Sequence, residues 1–392
     1  MKFDIAIIGG GSTGTSIAYH LQRKGAGKVA LLEKDHVGWG QTGRSTAIVR
    51  LHYSTEEVTR MALHSWRELS RMEEVVGGPS GFRPCGFILA VGEEDLGGLR
   101  KNVEIQRSVG VETRLITVDE LKEIIPQVDV GGLVAAAYEP YSGYADPVLT
   151  AQTYARAAEN LGCTIMVKTP VQGLRLSNGR IAYLETGKDR IEADIVVNAT
   201  GVWSNDILSG TGEKLPLKVM KEEIVVWSRP ESFTGEHVVF SDLIQNFYMR
   251  PYGEGQTYMG SINPDMSRVA DSPKDFNLSE KVGLDTVANY GAALSRRFPS
   301  MVEAVYSGGW VGLYDVTPDW HPIIDFSEKI ENLVHVVGLS GHGFKLAPAF
   351  GDIVSDLILK GRCQLVDRDF FSLRRFREGR LIGSSYKYGV IS

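Results

Sequence analysis

The sequence predicts an α/β fold in which a parallel-sheet domain is interrupted by a second domain of α+β type, mostly antiparallel. Three observations carry this. The chain opens with a short apolar strand, a glycine-rich turn and an amphipathic helix. Two later apolar runs, 195–199 and 333–337, also end in glycine turns. Between them, residues 216–310 alternate with period two, as antiparallel strands do when only one face is buried in core.

The opening segment is the most specific. A strand over 3–8 runs into Gly9-x-Gly11-x-x-Gly14, a helix follows over 15–24, and a second strand over 29–32 ends in Glu33, nineteen residues past Gly14. Gly9 permits the tight turn, Gly11 leaves room for a pyrophosphate, and Gly14 lets the helix pack on the strand. Helix N–H groups then face the phosphates, and Glu33 stands where an acid accepts from a ribose hydroxyl. This is a Rossmann-like dinucleotide site.

Residues 34–55 follow, with Gly38-Trp39-Gly40-Gln41-Thr42-Gly43-Arg44-Ser45-Thr46 at their centre. The stretch is too polar for core and too long for a simple turn, so it is expected to line a ligand. Helical patterning covers 56–75, a strand 86–91, and a helical pair 94–109 and 118–125. Asp146 caps a helix whose first residue is Pro147. A strand over 164–167 and a hairpin around Asn178-Gly179 come next. Residues 195–199 return to the nucleotide sheet and end at Thr200-Gly201. Period-two strands lie at 223–227, 247–250 and 257–260, covered by a helix over 279–298. The strand 333–337 leads into Ser340-Gly341-His342-Gly343-Phe344-Lys345 and a helix over 347–360. The nucleotide domain is thus expected from 1–76, 142–215 and 311–360. The substrate domain takes 77–141 and 216–310, and 361–392 form a C-terminal tail. The ligand cleft is expected between the domains.

Composition narrows the class. The formal net charge is −6, which argues against nucleic acid as a partner. Three scattered cysteines offer neither a disulfide framework nor a metal-ligand spacing, so a reducing cytoplasm is the expected compartment. The first strand begins at residue 3, so no targeting segment is expected. No apolar run reaches the ~18 residues of a membrane span. The last 32 residues carry seven Lys or Arg against three acids. They read as a solvated or docking tail, with Phe370-Phe371-Ser372-Leu373-Arg374-Arg375-Phe376 as the docking element and peripheral membrane or subunit contact as the alternative.

Further motifs recur along almost the whole chain: Gly43-Arg44-Ser45-Thr46-Ala47-Ile48-Val49-Arg50, Asp146-Pro147, Val197-Asn198-Ala199-Thr200-Gly201-Val202-Trp203-Ser204, Thr317-Pro318-Asp319, and the turn from Ser340 to Lys345. In order and spacing the sequence resembles the D-amino-acid oxidase superfamily of FAD enzymes. Within it, the sequence is closest to the branch of sarcosine oxidases, dimethylglycine dehydrogenases and archaeal proline dehydrogenase β-subunits. The resemblance implies FAD held by Gly9, Gly11, Ser12, Thr13, Gly14, Glu33, Lys34, Thr42, Arg44, Ser45, Thr46, Val171, Thr200, Gly201, Trp203 and residues Gly341, His342, Gly343, Phe344 and Lys345. The turn at 341–344 would aim N–H groups at the electron-rich edge of the flavin.

The resemblance also implies chemistry: oxidation of the C–N bond of a small secondary or N-methylated amino acid, by hydride transfer to flavin N5, giving an imine. Arg50 and Lys345 match the pair that clamps the substrate carboxylate, a charge-assisted interaction suited to a dry pocket. Ion-pair or surface roles are the alternative. Tyr248 and Tyr314 match substrate-side tyrosines, although strand tyrosines also serve as core or rim. His342 matches the histidine beside the reacting edge, or else caps the helix. Arg250 is a further candidate anion binder.

Two departures matter. Monomeric sarcosine oxidases attach FAD through a cysteine just before the motif that reads Tyr314…Thr317-Pro318-Asp319 here. This chain has Gly312-Leu313-Tyr314, so FAD is expected to be non-covalent. Tyr258 stands where those oxidases carry the lysine that activates oxygen, so a dehydrogenase is expected. Its electrons would pass to a quinone, an electron-transfer protein or a partner subunit. A hydroxy-acid or polyol-phosphate dehydrogenase, or a flavoprotein subunit of a larger electron-transfer complex, is the alternative.

Overall fold

The computed structural model describes residues 1–187, 189–263, 267–270, 273, 280–387 and 389–391. Strand Lys2–Ile8 is the centre of the first sheet. It pairs in parallel with Val29–Leu32 on one side and Arg190–Asn198 on the other. Thr164–Met166 and Leu333–Val337 extend the two flanks in parallel, and Ile323–Phe326 closes one edge antiparallel. Val29–Leu32 and Leu333–Val337 are buried at every residue, as a sheet covered on both faces requires.

Helix Ser12–Arg23 packs on Pro147–Asn160 and on Gly343–Lys360, which in turn meets Glu56–Leu69. Gly351 makes that crossing possible, since a Cβ there would lie 2.3 Å from Ser16 Oγ. Asp146 caps Pro147–Asn160 through both the Val148 and Leu149 N–H groups. Asn178 and Gly179 both have positive φ, 50° and 76°. They form the tight turn between Val171–Ser177 and Arg180–Thr186 that the dipeptide predicts.

The second sheet is mostly antiparallel, with Lys218–Ser228 paired to both Gln256–Ser261 and Val305–Val316. Phe247–Tyr252, Val239–Asp242, Phe87–Val91 and Ala135–Glu139 continue it. Period-two patterning finds its central strands but not Val305–Val316. That strand carries Gly308, Gly309 and Gly312, which weaken a strand pattern. The glycines are structural here. Gly308 has φ +129° at a register shift opposite Val226 and Trp227, and a Cβ on Gly309 would lie 2.3 Å from the Ile224 carbonyl. The boundary drawn at residue 311 falls within this strand.

Two local expectations shift. The helix read as 279–298 is Leu284–Arg297, and Ser279 lies outside the described residues. The helix read as 347–360 begins at Gly343, so Lys345 lies in its first turn and Pro348 within it. Arg50 follows the end of the two-residue strand Ile48–Val49.

The C-terminal segment is pinned to the body of the protein at a few buried residues, while much of the rest stays exposed. Phe371, Ser372 and Arg375 are each 1% exposed. Arg375 grips Asp319 with two hydrogen bonds, 2.7 and 3.0 Å, and donates to the His321 carbonyl at 2.8 Å. Tyr386 reaches His52 at 2.7 Å. The basic count misleads because one of those arginines neutralises a buried acid of its own chain. Among the described residues no helix is long and apolar enough to cross a membrane. Replacing Arg375 with Ala strands the Asp319 charge, so urea unfolding should show a loss of about 3–5 kcal/mol. A loss below about 1 kcal/mol, typical of an exposed pair, would contradict the anchor.

Candidate functional site

A cavity of about 660 Å³ lies between the two sheets, within the size range of ligand pockets. Its first half is built by the turn after Lys2–Ile8. Gly9 has φ +113°, and a Cβ on it would stand 2.4 Å from the Ala199 carbonyl oxygen. A Cβ on Gly14 would lie 1.9 Å from the Gly9 oxygen, so Gly14 serves the close packing and does not itself line the cavity. Gly11 is the N-cap of Ser12–Arg23 and supplies no capping side chain. The first-turn N–H groups have no intrahelical acceptors and form an anion-binding end beside the cavity. The Ser12 N–H donates to Thr42 Oγ1 at 3.0 Å, which ties the 34–55 loop to this helix.

Glu33, 8% exposed, is fixed by the N–H groups of Gly10 and Asp35, each at 2.7 Å. Lys34 extends its ammonium to 3.2 Å from the ring centroid of Trp203, and burial lowers its pKa. Arg44 donates to the carbonyls of Trp39 and Gly40, at 3.0 and 2.9 Å. It thereby holds its own loop in shape. Ser45, Thr46, Val171, Thr200 and Gly201 complete these walls. The loop is also tied to the second sheet: Trp310 Nε1 donates to the Arg44 carbonyl at 2.8 Å, and the Leu313 N–H to Gln41 Oε1 at 2.7 Å.

The other half of the cavity gathers Arg50, Lys345, Tyr248 and Tyr314. Arg50 is 7% exposed, donates to the His52 carbonyl and lies 4.3 Å from the Tyr53 ring centroid. Lys345 projects from the first turn of Gly343–Lys360 and donates to the Gly341 carbonyl at 3.3 Å. Burial, then the charge of Arg50, push its pKa well below that of an ordinary lysine. Two cations share one wall, an arrangement that an anionic ligand relieves. Tyr248, Thr46 and Tyr314 line the cavity together. Burial raises the pKa of Tyr248 to about 12 and carries that of Tyr314 well above the ordinary tyrosine value. Both are therefore neutral hydrogen-bonding groups.

Other expected residues lie elsewhere. His342 does not line the cavity. Its ring packs between Tyr53 and His321, with centroids 5.6 and 6.4 Å away, and it makes no capping bond. Its own N–H is used by the Leu339 carbonyl, at 2.8 Å. Tyr258 is also outside the lining, stacked on Tyr252 at 4.4 Å and edge-on to Trp310 at 4.9 Å. On its strand it is Gly260 that meets Tyr248: a Cβ there would stand 2.5 Å from the hydroxyl. Arg250 is buried among Tyr144, Tyr252 and Tyr258 and donates to the Pro251 carbonyl at 2.8 Å, away from the cavity.

Sequence reasoning passed over Glu222, which lines the cavity beside the tyrosines. Its signal was available, since alternation along 222–226 puts Glu222 on the face of Ile224. Ile391 also reaches the lining. No local pattern announces that, because the tail's path is set by the distant Arg375–Asp319 pair.

The comparisons with known proteins agree with this geometry. The profile of the family described as FAD dependent oxidoreductase matches residues 4–357. Sarcosine oxidase subunit beta of Rhodobacter capsulatus is 27% identical over 99% of this chain and 92% of its own length. FAD-dependent oxidoreductase domain-containing protein 1 of Bos taurus is 28% identical over 96% of this chain and 85% of its own. Among solved structures, L-proline dehydrogenase from P. horikoshii superposes with a TM-score of 0.88 at 28% identity, covering 97% of this chain and 99% of that one. The glycine cradle, the fixed acid at Glu33 and the anion-binding helix end fit the adenosine diphosphate part of the cofactor that this family takes its name from. The chain belongs to the family of FAD-dependent oxidoreductases.

Proposed function

We propose that this protein is an FAD-dependent amino-acid dehydrogenase that oxidises the C–N bond of a small secondary or N-methylated amino acid to an imine. The observation that carries this is the convergence of Arg50 and Lys345 on one wall of the cavity that also holds Tyr248 and Tyr314. A substrate carboxylate is drawn to both cations, and the tyrosine hydroxyls remain to orient the rest of a small molecule. The sarcosine oxidase subunit and the L-proline dehydrogenase among the relatives are named for such substrates.

The FAD, when bound, supplies the two-electron acceptor. The chain's own contribution is placement. Glu33 and the N–H groups at the start of Ser12–Arg23 suit the ribose and pyrophosphate, and Arg50 with Lys345 fixes the substrate carboxylate. Apolar walls from Ile48, Phe87 and Ile262 help exclude water. None of the described residues lining the cavity is a cysteine, which supports non-covalent attachment. The strand Gln256–Ser261 presents Gly260 rather than a cation to Tyr248, which supports a dehydrogenase over an oxidase. The electrons then pass to a quinone, an electron-transfer protein or a partner subunit, and the subunit relationship in the name of the Rhodobacter relative favours the last.

The direct test is anaerobic mixing with a panel of secondary, tertiary and primary amino acids and hydroxy acids. Bleaching of the flavin band by an amino acid, with slow recovery in air, is the expected result. Bleaching by hydroxy acids alone would overturn the reading. Substituting Arg50 with Met should weaken binding of carboxylate ligands by about 1.5–3 kcal/mol, read from titration of the flavin spectrum. Lys345 adds a pH signature. It is cationic below its depressed pKa, so carboxylate affinity should be full at low pH and fall as pH rises through that value. The step should lie below the ordinary lysine range and vanish in Lys345→Met. At the other end, Glu33→Ala removes a ribose acceptor and frees the Gly10 N–H. Equilibrium dialysis should show FAD retention weakened by about 1.5–3 kcal/mol.

A further inference from the structure

Glu222 lines the cavity together with Tyr248 and Tyr314. It lies on Lys218–Ser228, where alternate residues turn to opposite faces. Glu222 and Ile224 face the cavity. Glu223 faces away, accepting from the Gly283 N–H at 2.7 Å and lying 3.7 Å from Arg268. Lys221 also faces away and pairs with Glu280 at 2.7 Å. The neighbouring charges on the strand are thus satisfied on the far side. Among the described residues the Glu222 carboxylate receives one hydrogen bond, from Ser267. A carboxylate buried with a single donor is costly unless it takes a proton or meets a cation.

The substrate supplies that cation. An amino acid held by its carboxylate on Arg50 and Lys345 carries an ammonium group within two bonds of the clamp. Those cations repel it, so the favourable direction is the wall of opposite sign. Glu222 provides that wall, and its charge is felt by Tyr248 and Tyr314, which line the cavity with it. Oxidation at carbon needs the nitrogen lone pair, so the ammonium must lose a proton first.

Building on the amino-acid reading above, we propose that Glu222 receives the ammonium end of the substrate and takes its proton. The N–H bond breaks, the electron pair stays on nitrogen, and an O–H bond forms on the Glu222 carboxylate. The proton is returned to solvent after the imine leaves. Burial, with a smaller push from Glu223, sets the carboxyl's pKa at about 7, which suits a group that must be ionised before substrate arrives and protonated after. Among the described residues, the other groups facing it are Ser267, which does not titrate, and Tyr248, Tyr314 and Tyr290, all raised by burial above the ordinary tyrosine range. Asp315, at about 6, also borders the cavity but is engaged by the Gly338 N–H at 2.6 Å.

The experiment compares the holoenzyme with Glu222→Gln and Glu222→Asp across pH. The first readout is the anaerobic bleaching rate at subsaturating sarcosine or proline. The wild type should lose rate below pH about 7. Glu222→Gln should lack that limb, follow the amine's own deprotonation, and be slower at neutral pH by roughly 10²–10⁴-fold. Glu222→Asp should restore part of the limb. The second readout is binding of two unreactive ligands, 2-aminoisobutyrate, which has no α-hydrogen, and acetate, which has no amine. Glu222→Gln should weaken the first and leave the second unchanged. Retention of limb, rate and 2-aminoisobutyrate affinity in Glu222→Gln overturns the role of Glu222 alone. Failure of every amino acid to bleach or bind the wild type overturns the amino-acid reading itself, and this proposal with it.

Discussion

The parallel ladder centred on Lys2–Ile8 is the interaction on which the rest of the molecule depends. Ile8 is in register with Leu32 on one side and Asn198 on the other, and Asn198 with His335 beyond it. That pairing brings chain segments from Ile8 to His335, 327 residues apart, to one edge of one sheet. The strands ending at Ile8, Asn198 and Val337 run into turns whose glycines line the same cavity, and Val29–Leu32 delivers Glu33 to it. A shift of one residue in any strand would invert its faces and move its turn. The continuous burial of the strands makes such a shift expensive.

From that edge the cavity is closed by the second sheet. The contact is polar as well as apolar. Trp310 and Leu313 reach the Arg44 loop through directed hydrogen bonds, so the long strand Val305–Val316 both completes the sheet and fixes the loop that lines the cavity. The same strand carries Tyr314 into the cavity. The glycines that hide this strand in the sequence are what let it bulge and lie close to its neighbour.

Charge is distributed with purpose across the site. Cations occupy the helix-start wall, neutral tyrosines the sheet, and a carboxylate stands at 222. His342 is kept neutral by burial first, then by the charges of Lys345 and Arg50. Its ring buttresses the turn beside the cavity rather than entering it. The tail completes the enclosure, since Arg375 on Asp319 positions the segment whose Ile391 reaches the lining.

Much of this was legible in sequence. The glycine fingerprint, Glu33, the Asp146–Pro147 helix start and the Asn178–Gly179 turn are local devices, each dictated by residues a few positions apart. Patterning likewise announced the buried parallel strands and the central antiparallel ones. Only the tertiary structure decided the rest, because it depends on residues far apart in the chain. Alternation put Tyr258 on the correct strand, but only packing shows that Gly260 meets Tyr248 while Tyr258 stacks on Tyr252. Composition counted the arginines of the tail, but only the fold shows that Arg375 is buried on a distant aspartate. Glu222 is an ordinary charged residue in a strand until the sheet turns it toward the cavity. What a residue does to its near neighbours along the chain is written locally. Which surface it faces is settled when the two sheets close on one another.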